Sequence, residues 1–208
     1  MGRKTKIEKK MILEAAYELL DEGGIEAVAI KSIASKLGCS TQPVSWHFGS
    51  MKELKKELFF YAGEQVFKEL PSKMENREGF EAFFISGVHY ISIACDHPNV
   101  FRFLNVDSTE KTIGERILGP RSVFDLQFDK YAFDIMAKQY KIPEQELSAA
   151  VRDVVIYTHG LAVMMMFDDF RMPKKEAYKM IMNVGLKMIS NIGIDTSSLS
   201  FEKMLEAL

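Results

Sequence analysis

Gln42, Ser45 and Trp46 fall on one face of the short stretch Thr41-Gln42-Pro43-Val44-Ser45-Trp46-His47-Phe48 if that stretch is helical. Thr41, Pro43 and His47 flank that face, Val44 and Phe48 take the opposite one, and Ser40 stands just ahead. A glutamine amide presents a donor beside an acceptor, which matches the edge of adenine in a DNA major groove, and an indole or prolyl ring can lie against a thymine methyl. Lys31 and Lys52, before and after the stretch, supply charge that phosphates attract. Such a set makes and breaks no bonds; its chemistry is the reading of base edges. The alternative for the same residues is a small helical bundle in which an exposed Trp46 merely caps the core. A tryptophan and a histidine on the solvent side of so short a helix, beside lysines on both neighbours, favour a partner surface.

That face needs a rigid mount. Ile30, Ile33, Ala34 and Leu37 recur at i, i+3, i+4 and i+7 and predict a helix with one apolar stripe, leaving Lys31, Ser32, Ser35 and Lys36 outside it. Gly38 can take the left-handed conformation that closes a helix, so the chain is expected to turn sharply through Cys39 and Ser40. Ser40 is the expected N-cap of the next helix, and Pro43 falls in its first turn, where a missing N–H costs little. Ser50-Met51-Lys52-Glu53 is a capping box that predicts a long helix through Leu54, Leu58, Tyr61, Phe67 and Leu70. Helix, tight turn and helix is the layout of a helix-turn-helix DNA reader.

The segment from Lys4 to about Leu70 resembles the N-terminal domain of the TetR family of transcriptional regulators. The residues that carry the likeness are Gly23-Gly24 at the end of a first helix, Ile33-Ala34-Ser35-Lys36-Leu37-Gly38, Trp46-His47-Phe48, and Ser50 to Leu54. The resemblance implies an all-α fold. A three-helix helix-turn-helix DNA-binding domain would cover 1–50, a connecting helix 50–70, and a larger helical ligand-binding and dimerisation domain 71–208. It also implies positioning contacts from Lys31, His47 and Lys52, with Lys31 in reach of a base, and puts Thr41, Gln42, Pro43 and Trp46 in the major groove beside Ser40 and Ser45. Three positions depart from the family pattern: Ser45 stands where a tyrosine is usual, Met51 where a lysine is usual, and Ala29 where a threonine is frequent. Each shortens or removes a backbone contact and leaves the architecture alone.

The composition suits one small reader and a larger companion: 208 residues, 47% hydrophobic and 27% charged, with a net charge of −2. That balance is not a generic nucleic-acid coat, but Arg3, Lys4, Lys6, Lys9 and Lys10 form a basic arm that can follow phosphates or simply be solvated. Cys39 and Cys95 form no C-x-x-C pattern, so no disulfide scaffold or zinc module is expected. The start of the chain has no apolar signal core, and no uncharged apolar run approaches the ~20 residues of a membrane span, so a cytoplasmic protein with no membrane partner is expected.

Beyond Pro71 the chain reads as helices. Phe80 to Cys95 is expected to stop at Asp96-His97-Pro98, followed by a short helix over 99–104, a looser connection over 107–119, and a helix from near Arg121 to Tyr140. Pro143 and Pro173 each open a long helix, with Gly193 ending the second. Val151, Val154, Thr158 and Leu161 on one, with Ile181, Val184 and Met188 on the other, form apolar seams that could bury within one chain or against a copy; the family resemblance implies a four-helix homodimer interface. Phe84, Tyr90, Phe101, Phe103, Phe124, Phe128, Tyr131, Tyr157, Met164 and Met165 are candidates for an apolar effector pocket, although residues at such spacing are also ordinary core. His89, Cys95, Asp96 and His97 include soft metal ligands but no complete set, so neither metal nor cofactor is expected. With no nucleophile elbow or phosphate loop, an enzyme is not expected either. The function expected is a homodimeric repressor, released from a palindromic operator on double-stranded DNA by a small hydrophobic effector. The rival is a DNA-binding protein whose C-terminal part serves only dimerisation or protein recruitment.

Overall fold

The computed structural model describes residues 7–117, 127–167, 169–170, 172–197 and 199–206. Among these the chain is helical throughout, with no strand. It divides into two compact units, one formed by the residues up to Val66 together with His97–Leu118, the other by Phe67–Asp96 with Gly119–Leu208.

In the first unit, helix α1 (Lys9–Gly23) buries Ile12, Ala15, Ala16 and Leu20 and ends at Gly24, whose N–H reaches the Leu20 carbonyl at 2.8 Å. A single 3-10 turn (Ile25–Ala27) leads into α2 (Ile30–Lys36), which buries Ile33 and Ala34 as its stripe requires. The tight turn after α2 is a Schellman closure. The Cys39 N–H donates to the Ala34 carbonyl at 2.9 Å and the Gly38 N–H to the Ser35 carbonyl at 3.1 Å, with Gly38 at φ +62°. Helix α3 (Thr41–Phe48) follows at once and inserts Val44 and Phe48 into the core. Ser40 occupies the N-cap position with extended backbone but makes no side-chain capping bond. At the next start the Ser50 hydroxyl does accept from the Glu53 N–H, at 3.2 Å, and α4 (Met51–Phe67) begins there.

Two expected boundaries move. Helix α4 stops at Phe67, and Leu70 belongs to a separate short helix, α5 (Leu70–Met74). Pro71 explains the break, because its ring lacks an N–H and would collide with the Phe67 carbonyl in a continuous helix. The larger correction concerns residues 97–117, which the sequence reading assigned to the C-terminal domain. They pack with the first unit: α7 (Pro98–Asn105) places Val100, Phe103 and Leu104 in the same core as Ile12, Leu20, Leu54, Leu58 and Phe59. Phe103 meets Phe59 edge-on at 5.6 Å between ring centroids. The start of α7 is fixed to the end of α1 by Asp21, which receives His97 Nδ1 at 2.9 Å on its carboxylate and the Asn99 amide at 2.8 Å on its backbone carbonyl. A further short helix, α8 (Thr109–Thr112), lies where a loose connection was expected.

The second unit is built around the helix Gly79–Asp96, numbered α6 in chain order, which buries Phe80, Phe83, Phe84, Ile85, Val88, Ile91 and Ile93. A helix apolar on nearly every side has to be enclosed. Here α5, α9 (Gln127–Tyr140), α10 (Glu144–Met165) and α11 (Lys174–Asn191) pack around it. Close approaches rest on glycine: a side chain at Gly79 would meet Met136 at 2.7 Å, and one at Gly185 would meet Phe80 at 3.1 Å. Pro143 and Pro173 cap α10 and α11 as expected, and a last helix, α12 (Phe201–Glu206), was not foreseen.

The seams of α10 and α11 turn inward. Val151, Val154, Thr158, Leu161 and Ile181 are buried within the single chain, with Val184 and Met188 half-buried against the same core. The exposed apolar side chains of α10 lie elsewhere: Ile156 is 55% and Met164 49% accessible, with Phe167 just beyond the helix at 54%. Helix α10 is long and apolar enough to cross a membrane by length and composition, yet it carries Arg152 and Asp153 and packs against α6, α9 and α11.

Candidate nucleic-acid interface

Burying Val44 and Phe48 dictates what α3 shows on its other side. Thr41, Gln42 and Ser45 are exposed, and Trp46 is 77% accessible, an extreme value for the chain's one tryptophan. Pro43 is half-buried at the edge of the face. Leaving an indole in water forgoes roughly 1.5–3 kcal/mol of burial, so its exposure has to be explained by something other than folding. The Trp46 ring stands edge-on to the His47 imidazole, 4.8 Å between centroids, which limits the directions in which it can point.

His47 is placed differently from the expected phosphate contact. It is half-buried, and its Nε2–H donates to the Ile7 carbonyl at 3.0 Å, tying the reading helix to the approach of α1. Its role in the structure is to position α3. Lys31 is exposed on α2, and among the described residues it has no ion-pair partner. Lys52 is exposed but lies 3.3 Å from the Glu115 carboxylate, which also receives Lys56 at 2.8 Å; the two ammonium groups hold the Glu115 carboxyl below its usual range. Met51 packs half-buried against the core of the first unit.

The basic arm is less available than its composition suggested. Arg3, Lys4 and Lys6 lie outside the described residues, whereas Lys9 pairs with Glu57 at 2.6 Å and Lys10 sits 3.7 Å from Glu14. Lys36, next to the turn, is held by Glu18 and Glu22, both of which raise its pKa. The lysines that sequence reasoning missed are Lys55 and Lys56. Their spacing from Lys52 puts all three on one face of α4, a signal that was legible; that Glu115 would meet them was not.

The second unit holds a small cavity that is open at its mouth. Its walls are Phe67, Phe80, Phe83 and Phe84, with Ile181 and Gly185 opposite, and its described lining contains no Asp, Glu, Lys or Arg. The polar groups are few. Ser86 spends its hydroxyl on the Phe83 carbonyl at 2.8 Å, and Tyr90 Oη lies 2.8 Å from His159 Nδ1. Burial pushes the His159 pKa below its ordinary value, so the imidazole is neutral at pH 7.

Of the expected pocket residues, Phe84 and Tyr90 lie on this wall. Phe101 and Phe103 do not: both are fully buried on α7, and Phe103 packs in the core of the first unit. Tyr157, Met164 and Met165 lie on α10 outside the lining, and Met164 faces solvent. Phe124 and the side chains of Phe128 and Tyr131 lie outside the described residues. Three of the expected seam residues, Val154, Thr158 and Ile181, line the cavity instead. The His89, Cys95, Asp96 and His97 quartet is dispersed among other partners: Asp96 takes Lys174, His97 takes Asp21, and His89 lies against Phe67.

Residues 12–58 match the sequence model of the family described as bacterial regulatory proteins, tetR family. An HTH-type transcriptional regulator of Bacillus subtilis (strain 168), YobS, is 21% identical over 101 residues, which are 49% of this chain and 53% of that protein. The chain thus spans about half the length of the curated relative it matches. Among solved structures, a TetR-like transcriptional regulator from Rhodococcus sp. RHA1 aligns over 91% of this chain and 98% of its own, with a TM-score of 0.64 and 14% identity. A TetR variant from Acinetobacter baumannii AYE, solved with minocycline, covers 91% of this chain and all of its own at 16% identity, with a TM-score of 0.60. These structural likenesses concern the fold, and the family model concerns α1 to α4, where the Gly38 closure and the outward Trp46 stand. Over α1 to α4 the chain is thus similar to the helix-turn-helix domain of the tetR family of bacterial regulatory proteins.

Proposed function

We propose that the chain is a cytoplasmic, homodimeric transcriptional repressor that grips a palindromic operator through two copies of α3 and lets go when a small effector fills the cavity of its second unit. One observation carries the DNA-binding part: α3 buries Val44 and Phe48 and leaves Gln42 and Trp46 in water, on a mount closed by the Gly38 turn. Gln42 pairs with an adenine edge, Trp46 and Pro43 lie on thymine methyls, and Lys31 holds the backbone.

A single short helix in one groove makes few contacts, so two-fold pairing with heads about 34 to 36 Å apart is the means of selective binding. With the α10 and α11 seams used inside the chain, the dimer face is the exposed stripe of α10, Ile156, Gly160 and Met164, together with Phe167 just beyond its end. A side chain at Gly160 would meet nothing within 4 Å in the chain, which leaves room for a partner's helix to approach.

The effector is neutral and mostly apolar, with one hydroxyl or carbonyl that reaches the Tyr90 and His159 pair. A charged ligand would leave water for a lining without a counter-charge, at a large desolvation cost. The minocycline bound by the TetR variant supports a ligand site in this fold without fixing its chemistry here. An effector that prefers the released state by ~1.4 kcal/mol lowers operator affinity about tenfold.

Selection of bound duplexes from a random pool, followed by thermal melts with panels of neutral, anionic and cationic compounds, tests the whole reading. A two-fold symmetric consensus and melting shifts confined to neutral compounds are expected. No enriched duplex would sink the DNA assignment; no shift with any panel would favour the rival in which the second unit only assembles or recruits.

A further inference from the structure

Helix α4 presents Lys52, Lys55 and Lys56 at i, i+3 and i+4, and one short segment of the same unit engages all three. Lys52 lies 3.3 Å from one Glu115 oxygen, Lys56 donates to the other at 2.8 Å, and Lys55 donates to the Thr112 carbonyl at 3.2 Å. Gly114, at φ +85°, turns the chain between these two anchors, and the Lys52 stem passes 4.0 Å from where a side chain at Gly114 would begin. The approach is close enough that the segment lies along the lysine face of α4.

We infer that Glu115 is an internal stand-in for a DNA phosphate, which occupies Lys52 and Lys56 in the free protein and thereby limits affinity for any duplex. The inference rests on the DNA-binding reading above. Ion pairs this exposed are weak and exchange readily, so they add little to the fold. What they set is the number of ammonium groups free to displace counterions from DNA, and the carboxylate that stays beside an incoming phosphate repels it across a screening length of ~8 Å. A glutamine at the same place keeps the shape, removes the charge and accepts from one ammonium at most, because its amide nitrogen is a donor. Glu110 supplies the comparison, since it stands in the same segment, pairs with Arg116 at 3.4 Å and touches no α4 lysine.

The test is a titration of a labelled mixed-sequence duplex, followed by fluorescence anisotropy over a salt series. Wild type, Glu115→Gln, Glu110→Gln and Lys52→Ala/Lys56→Ala, the last with and without Glu115→Gln, are compared after melts establish that each is folded. Each phosphate newly neutralised steepens the slope of log affinity against log salt by about 0.9. Glu115→Gln should therefore steepen it by about one to two and tighten low-salt binding roughly 3- to 10-fold. Glu110→Gln should change affinity less than about twofold, and Glu115→Gln should gain nothing in the background that lacks both lysines. Equal slopes for wild type and Glu115→Gln, an equal gain from Glu110→Gln, or a gain that survives loss of the lysines would each overturn the inference while leaving the DNA-binding reading intact. No duplex binding by wild type or Glu115→Gln would overturn both together.

Discussion

Helices α3 and α6 put their aromatic residues to opposite uses. Trp46 on α3 stands in water, and nothing in the fold requires it; Phe80, Phe83 and Phe84 on α6 are buried, and both the core and the cavity depend on them. On the proposed function, the contrast separates recognition from stability in the first unit and joins them in the second. A reading face can change residue by residue without unfolding its mount, whereas a cavity wall cannot change without altering the packing that encloses it.

The strongest challenge to that contrast is Phe80→Ala, which should lower unfolding stability by about 3–5 kcal/mol and reduce the urea midpoint of the second unit. A loss below about 1 kcal/mol would mean that the wall collapses freely and is not core. Next come Trp46→Ala and Gln42→Ala, expected to cost about 1–3 kcal/mol of selective DNA binding by anisotropy while the melting curve stays within about 0.5 kcal/mol of wild type. Equal weakening on cognate and scrambled duplexes for Gln42→Ala would reject base reading by that side chain. Gly38→Ala sharpens the picture of the mount: the left-handed backbone should cost the variant about 1–2 kcal/mol, visible as a lower melting temperature.

The smallest effect concerns acid. His159 has a folded pKa depressed by burial below its ordinary 6.5, so the unfolded chain binds the proton more readily. Its contribution is complete above about pH 6.5 and is lost as pH falls from there towards the folded value. Stability curves of wild type and His159→Phe should therefore run parallel above that pH and converge below it. Parallel curves throughout would show that this imidazole is not desolvated.

Much of the first unit was legible because its punctuation is local. The Gly38 closure and the Ser50 cap involve partners within five residues, and Val44 against Trp46 is a matter of one helical wheel. His47 and Lys52 were read less well because their partners, Ile7 and Glu115, are remote in sequence, and no spacing announces them. The same limit misplaced Phe103. Helical periodicity shows that a face is buried, but not against which unit, and an aromatic residue of the reading-domain core looks like one of a cavity wall. The inward seam of α10 was visible as a seam; that Ile156, Met164 and Phe167 would remain outside followed only from the packing of α6 against the other face.

The bond from His47 to the Ile7 carbonyl has a practical consequence for anyone handling this protein. A carbonyl only accepts, so the imidazole donates this bond from Nε2. Whatever is fused ahead of Ile7 therefore pulls on α3 through that bond, so an affinity tag belongs at the opposite end of the chain.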